Sequence, residues 1–207
     1  MDSDQTLAAK ARLRREMLER RAARLRADPT GRKRRFLAAA WRDALLRATE
    51  THVPVGETVA AFLPTEAEPP LREALRAIHE SGRSVIVPVS LPFRVLEWAE
   101  WTPEAATETS SFGIEEPTGD RLGAQAFSES ALRLVPALAV DEHGTRLGYG
   151  GGYYDAALAA AGRGPAAGAD VAVCFSDEVL PAGAVPAEPH DARLPRVCTE
   201  HGLTTLR

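Results

Sequence analysis

The chain has 207 residues, 44% of them hydrophobic and 26% charged, with a formal net charge of −4. That is enough apolar material for one core, so an ordinary globular protein is expected, as a single domain over residues 1–207 with residues 1–50 as helices packed on it. No apolar run approaches the roughly 20 residues that cross a bilayer, and the charged start MDSDQTLAAKARLRREM lacks an apolar signal core; both set the expectation of a cytoplasmic protein without a membrane partner.

Charge is unevenly spread. Residues 1–47 hold 14 of the 25 Lys and Arg against six acids, a local +8, so the rest of the chain carries −12. A basic arm on an acidic body suggests an anionic partner. In the first helix Lys10, Arg12, Arg14, Arg15, Arg20, Arg21 and Arg24 point all round and are interrupted by Glu16 and Glu19. No aromatic residues interleave with them for base stacking, which argues against nucleic acid.

Taken in chain order, residues 5–26 read as an amphipathic helix with Leu7, Leu13, Met17, Leu18 and Leu25 on a broad apolar stripe. DPTG (28–31) breaks it. A second helix is expected over 32–49 with Phe36, Leu37, Ala40, Trp41 and Leu45 inward. Strands and helices then alternate: ETVAAFL (57–63) as strand, PPLREALRAIHESG (69–82) as a helix stopped by Gly82, and SVIVPV (84–89) as strand. VLEWAEW (95–101) has the polar alternation of an edge strand. A loop rich in Pro, Thr, Ser and Gly, containing FGIEEP (112–117), leads to the near-continuous apolar run LRLVPALAV (132–140), which suits one central parallel strand. RLGYGGGYYD (146–155) follows it directly, then a helix over 153–161 and the buried strand ADVAVCF (169–175). This alternation predicts an α/β fold with a largely parallel sheet covered by helices on both faces.

In such sheets ligands bind beyond the carboxyl ends of the strands, where the glycine run is expected to lie. Gly148, Gly150, Gly151 and Gly152 can take positive φ and bring backbone N–H groups close to phosphate at the start of a helix. Arg146 adds a forked cation. No Lys-Ser/Thr follows the glycines, so this is not a Walker A loop, and the spacing is not that of the dinucleotide fingerprint. Asp155, in the helix's first turn, either complements the helix dipole or holds Mg²⁺ against the phosphates. Lys10 and Arg14, four apart on one helix face, can grip one phosphate group or form a solvated basic face. Cys174 and Cys198 have no metal-like spacing and read as small buried hydrophobes; His143 and His190 read as surface or supporting residues.

K-x-x-L-R (Lys10, Leu13, Arg14), FGIEEP, VPALAVDEHGTRLGYGGGYYD and VPAEPHD (185–191) occur in this order at the spacing of the 5-formyltetrahydrofolate cyclo-ligase, or methenyltetrahydrofolate synthetase, family. The resemblance spans Lys10 to Thr199. It implies a three-layer α/β/α sandwich and the ATP- and Mg²⁺-dependent cyclisation of 5-formyltetrahydrofolate to 5,10-methenyltetrahydrofolate, releasing ADP and phosphate. Carried over, it implies ATP on Lys10, Arg14, Arg146, Leu147, Gly148, Tyr149, Gly150, Gly151, Gly152 and Tyr154, with Arg146, Lys10 and Arg14 as the catalytic cations. Asp155 and Asp191 are implied as magnesium ligands, Glu66 as the acid that reads the pterin, and Leu63 and Tyr153 as folate walls. A small shift in matching FLPTEAEPP makes Glu68 the pterin acid instead. Tyr149 and Gly151 stand where relatives carry basic residues, which keeps a second reading open: a nucleotide-binding paralogue acting on another substrate. A monomer or weak homodimer is expected.

Overall fold

Seven strands lie side by side in the order β12-β11-β9-β6-β1-β2-β3. They are β1 (Thr58–Ala60), β2 (Ser84–Leu91), β3 (Val95–Glu100), β6 (Leu132–Pro136), β9 (Asp170–Val173), β11 (Arg196–Thr199) and β12 (Gly202–Thr205). Between them in sequence come β4 (Thr107–Thr109), β5 (Glu115–Pro117), β7 (Ala139–Asp141), β8 (Arg146–Leu147) and β10 (Val179–Leu180). This is a computed structural model, and it describes residues 3–111, 113–162, 169–188 and 191–207; His190 lies outside them. The five inner strands run parallel, and β3 and β12 close the edges in antiparallel pairing.

Alternate residues of the inner strands feed two cores. Val59, Val85, Val87, Leu132, Leu134 and Val171 face α2 (Arg32–His52) and α3 (Arg72–Glu80), where Trp41, Leu45, Leu75 and Ile78 are fully buried. Ala60, Ile86, Val135 and Ala172 face α4 (Gln125–Glu129) and α5 (Tyr153–Ala161), which contribute Phe127 and Leu158. Helices thus cover both faces, the expected three layers. Cys174 and Cys198 belong to opposite cores, which keeps them from pairing. Residues after Gly31 and Gly82, both at positive φ, change direction where those glycines were expected to punctuate the chain.

Four expectations need correction. The run 132–140 is two strands, not one: β6 ends at Pro136, and β7 enters a separate small sheet with β8 and β10. A continuous apolar run records burial but not which sheet receives it, and Pro136 has no N–H with which to continue a ladder. The glycine run therefore follows a short β7–β8 hairpin, and Arg146 sits on β8. The strand expected over 57–63 ends at Ala60, and FGIEEP is not all loop, since Glu115–Pro117 pairs with β4.

The last correction concerns α1 (Ser3–Arg26). Leu7 and Leu18 are exposed, as is Phe36 on α2, while the buried positions of α1 are Thr6, Lys10, Met17 and Arg21. These recur at helical spacing, so the helix has one packed face, but its character is mixed and charged. Met17 packs with Leu138, Ala139, Leu147 and Val185 over the small sheet. The buried cations of α1 find acids there, as a buried charge requires. Among the described residues no helix is long and apolar enough to cross a membrane.

Candidate active site

The sheet order places β1 and β6 side by side, with later strands added outward in opposite directions from them. Loops leaving these two strands diverge, and a cleft is expected at their carboxyl ends. A cavity of about 480 Å³ lies there, lined by Phe62, Leu63, Thr65 and Glu68 after β1, Pro136 at the end of β6, Pro88 and Ser90 of β2, and the glycine loop. Ile114, Glu115 and Glu116 of the β4–β5 ribbon complete its wall.

On one side stands the loop Gly148–Gly152. Gly150 and Gly152 have φ of 100° and 74°, which side-chain-bearing residues rarely adopt. Gly148 is required for a different reason: a Cβ there would stand 2.6 Å from Arg146 Nη1, so the absence of a side chain lets the guanidinium fold back under the loop. Arg146 is buried, donates to Pro136 O at 3.1 Å, and is paired with Asp155, whose side chain is 52% exposed. Gly152 begins α5 without a side-chain cap, leaving first-turn N–H groups for a ligand.

On the other side the cavity is apolar with one acid. Glu68 is 6% exposed, and its Oε2 accepts from Thr65 N at 2.8 Å and Thr65 Oγ1 at 2.9 Å. Glu66 is exposed and outside the cavity lining. Of the two acids considered for reading the pterin, Glu68 is thus the one on the cavity wall: the Thr65 turn directs it inward and Glu66 to solvent. Leu63 and Tyr153 line the cavity as anticipated, and the Tyr153 hydroxyl donates to Leu91 O at 3.1 Å. Tyr154 packs edge-on to Trp98 and Phe127, and its buried hydroxyl has no partner among the described residues. Burial pushes that phenol's pKa up, with Glu68 adding to the shift.

Helix α1 closes one flank. Arg14 Nε donates to Gly148 O at 2.9 Å, while Lys10 Nζ donates to Asp191 at 2.7 Å and Glu188 at 3.0 Å. Desolvation pulls the Lys10 pKa down, but the bonds to Asp191 and Glu188 outweigh it and the net direction is up. Lys10 and Arg14 thus hold different groups here, not one shared group. Asp155 and Asp191 are each held by a protein cation, and among the described residues no three His, Cys, Asp or Glu side chains are grouped so as to hold a metal ion by themselves. The Leu147 side chain is buried with Met17, so only its backbone can face a ligand.

Two residues went unnoticed in the sequence as parts of this arrangement. Arg21 is 1% exposed and forms a two-pronged pair with Glu178, which is fully buried. Glu188 joins Lys10 to Asp191, its backbone N–H also donating to Asp191 at 2.7 Å. Arg21's place at i+11 from Lys10 was the available signal, since positions 10, 14, 17 and 21 share a helix face.

A three-layer α/β/α protein with a glycine loop and a buried acid at the topological switch point is the class that fold and site define. The description 5-formyltetrahydrofolate cyclo-ligase family matches residues 6–200, so the chain belongs to that family. It is 37% identical over 159 residues to the 5-formyltetrahydrofolate cyclo-ligase of Mycolicibacterium smegmatis, covering 73% of this chain and 78% of that one. It is 32% identical over 112 residues to the Escherichia coli K12 protein of the same name, covering 52% and 62%. The fold is similar to the 5,10-methenyltetrahydrofolate synthetases of Aquifex aeolicus (TM-score 0.69, 23% identity, 96% and 93% covered) and Mycoplasma pneumoniae (TM-score 0.67, 18% identity, 97% and 99% covered).

Proposed function

We propose that this chain catalyses the ATP- and Mg²⁺-dependent cyclisation of 5-formyltetrahydrofolate to 5,10-methenyltetrahydrofolate, with release of ADP and phosphate. The observation that carries this reading is a single cavity that joins an anion-binding loop to an apolar wall with one buried carboxylate. Family membership and the names of the relatives support it.

An N-formyl oxygen is an amide oxygen and a poor leaving group. In this reading it attacks the γ-phosphorus of ATP and ADP departs; the neighbouring folate amine then attacks the activated carbon, and phosphate leaves as the ring closes. Arg146, Lys10 and Arg14 neutralise charge on the transferring group. The backbone of Leu147 to Gly152, with Tyr149, Gly150, Gly151 and the start of α5 at Tyr154, follows the triphosphate. Glu68 accepts from the pterin's amide and amino donors, and Leu63 and Tyr153 cover its faces.

The carboxylates suit magnesium. Mg²⁺ takes one or two carboxylates and completes its shell with phosphate oxygens and water; Asp155, half exposed at the cavity wall, would be one such carboxylate, and Asp191, now on Lys10, the second if nucleotide draws Lys10 away. Bound there, the ion would offset charge on the phosphates. We read residues 1–207 as one functional unit, a cytoplasmic monomer or weak homodimer.

The test is direct: incubate purified protein with 5-formyltetrahydrofolate, with and without Mg-ATP, and follow the methenyl chromophore and ADP. Both should appear in equal amounts and only with Mg-ATP. Nucleotide binding without methenyl formation would favour a paralogue with another substrate, a reading supported by Tyr149 and Gly151 in the loop, which offer no cation to the cavity.

A further inference from the structure

Arg21 is anchored at the carboxyl end of the sheet. Its Nε donates to Glu178 at 2.8 Å, and its Nη2 donates to Glu178 and to Ala137 O, both at 2.7 Å. The remaining nitrogen, Nη1, donates to the hydroxyl of Tyr149 in the middle of the glycine loop. A guanidinium only donates, so the phenol oxygen is the acceptor and its own proton is free to go elsewhere. Glu68 faces that hydroxyl across the cavity. Its Oε2 is already taken by Thr65, which leaves Oε1 for Tyr149 or for a ligand.

The loop end of this chain is tied to the phosphate site. Tyr149 follows Gly148, whose carbonyl accepts from Arg14 at 2.9 Å. A phosphate oxygen competes strongly for that arginine, because a charged acceptor makes roughly twice as strong a bond as a neutral carbonyl. Losing Arg14 frees the segment that carries Tyr149.

Resting on the functional reading above, we propose that Tyr149 is a positioning residue through which nucleotide binding controls the pterin-reading carboxylate. In the empty site Arg21 holds the Tyr149 hydroxyl toward Glu68, where it competes with the pterin's donors. Nucleotide draws Arg14 to phosphate, the loop withdraws, and Glu68 becomes available to the folate. ATP therefore tightens folate binding, and by linkage folate tightens ATP binding by the same factor.

Calorimetric titration of 5-formyltetrahydrofolate, with and without the Mg²⁺ complex of β,γ-imido-ATP, tests this on the intact chain and on Tyr149→Phe. That substitution keeps the ring and removes only the hydroxyl, at a residue that is 45% exposed, so the fold should survive. The unaltered protein should bind folate at least fivefold more tightly with the nucleotide analogue, the lower end of usual coupling. Tyr149→Phe should bind folate without nucleotide about as tightly as the unaltered protein binds it with nucleotide, and the analogue should then change its affinity by less than about twofold. Coupling retained in Tyr149→Phe, weaker folate binding by that variant, or no coupling in the unaltered protein would each overturn the inference while leaving the functional reading intact. Failure of the unaltered protein to bind folate at all, with or without analogue, would overturn both.

Discussion

Two buried arginines lie at opposite ends of strand β6, and they have different work. Arg133, on the strand's first turn into the sheet, pairs with Asp170 at the start of β9, Nη2 to Oδ2 at 2.9 Å, with its guanidinium carbon 5.1 Å from the centre of the Phe127 ring. Arg133 and Asp170 sit opposite each other on neighbouring strands at the amino end. Arg21 reaches the carboxyl end from α1, pairs with Glu178, takes the carbonyl of Ala137, and extends to Tyr149 in the cavity wall. Adjacent to it, Arg146 takes the carbonyl of Pro136. The same residue type thus closes a local pair where strands begin and serves a cavity where loops diverge, because only the carboxyl ends leave space between departing segments.

The sharpest way to break this comparison is Arg21→Ala. It takes the two-pronged partner from buried Glu178 and leaves as its cation only the more distant Arg24 Nη1 at 3.5 Å, a loss of up to about 3–5 kcal/mol, and urea unfolding should show it directly. Cys174 and Cys198 offer an independent monitor: burial pushes the Cys198 thiol up to about 12 and Cys174 well above its ordinary value, so both should resist thiol reagents until the fold opens. Arg146→Ala should act on catalysis instead. Loss of a preorganised cation beside phosphate should lower kcat/KM by roughly 10²–10³, about 3–4 kcal/mol in barrier. Its stability should change little, because the freed Asp155 is half exposed and reaches water.

Gly151→Ala separates phosphate cradle from connector better than changes at Gly150 or Gly152, where positive φ penalises any side chain. A Cβ at Gly151 meets only the Tyr153 ring, at 3.2 Å. The KM for ATP should rise at least fivefold, about 1 kcal/mol, with melting temperature nearly unchanged; the reverse pattern would make the loop a hinge. Tyr153→Phe keeps the cavity wall, so the ATP constant should stay within about threefold, roughly 0.6 kcal/mol, while folate binding weakens more.

The smallest effect on activity is expected at the amino end. Desolvation pushes the Asp170 carboxyl up despite the opposing pull of Arg133. Asp170→Asn removes a counter-charge from Arg133, whose side chain is 1% exposed, but keeps an oxygen acceptor, so the unfolding free energy near neutral pH should fall by about 1–3 kcal/mol, less than at Arg21, while both Michaelis constants stay unchanged. The sign follows from the raised pKa: the folded state holds this proton more readily than the unfolded chain, so stability from this group falls as pH rises through the carboxylate range. The unaltered protein should therefore gain on the variant as pH falls into that range, a trend that paired denaturation curves would reveal.

The sequence by itself determined the elements whose signal is local. Short apolar strands, the helix with Leu71, Leu75 and Ile78 on one face, and the glycine run before a helix start all depend on neighbours a few residues apart, so alternation of α and β and the place of the glycine loop were legible. Tertiary structure alone decided what depends on distant partners. The packed face of α1 is charged because Glu178, Asp191 and Glu188, more than 150 residues away, supply the acids that make burial of Arg21 and Lys10 tolerable. The run 132–140 splits because half of it pairs with β10 and β8 instead of the large sheet. Glu68, not Glu66, faces the cavity because Thr65 turns it inward, a direction set by the three-dimensional course of a loop and not by the types of residue along it.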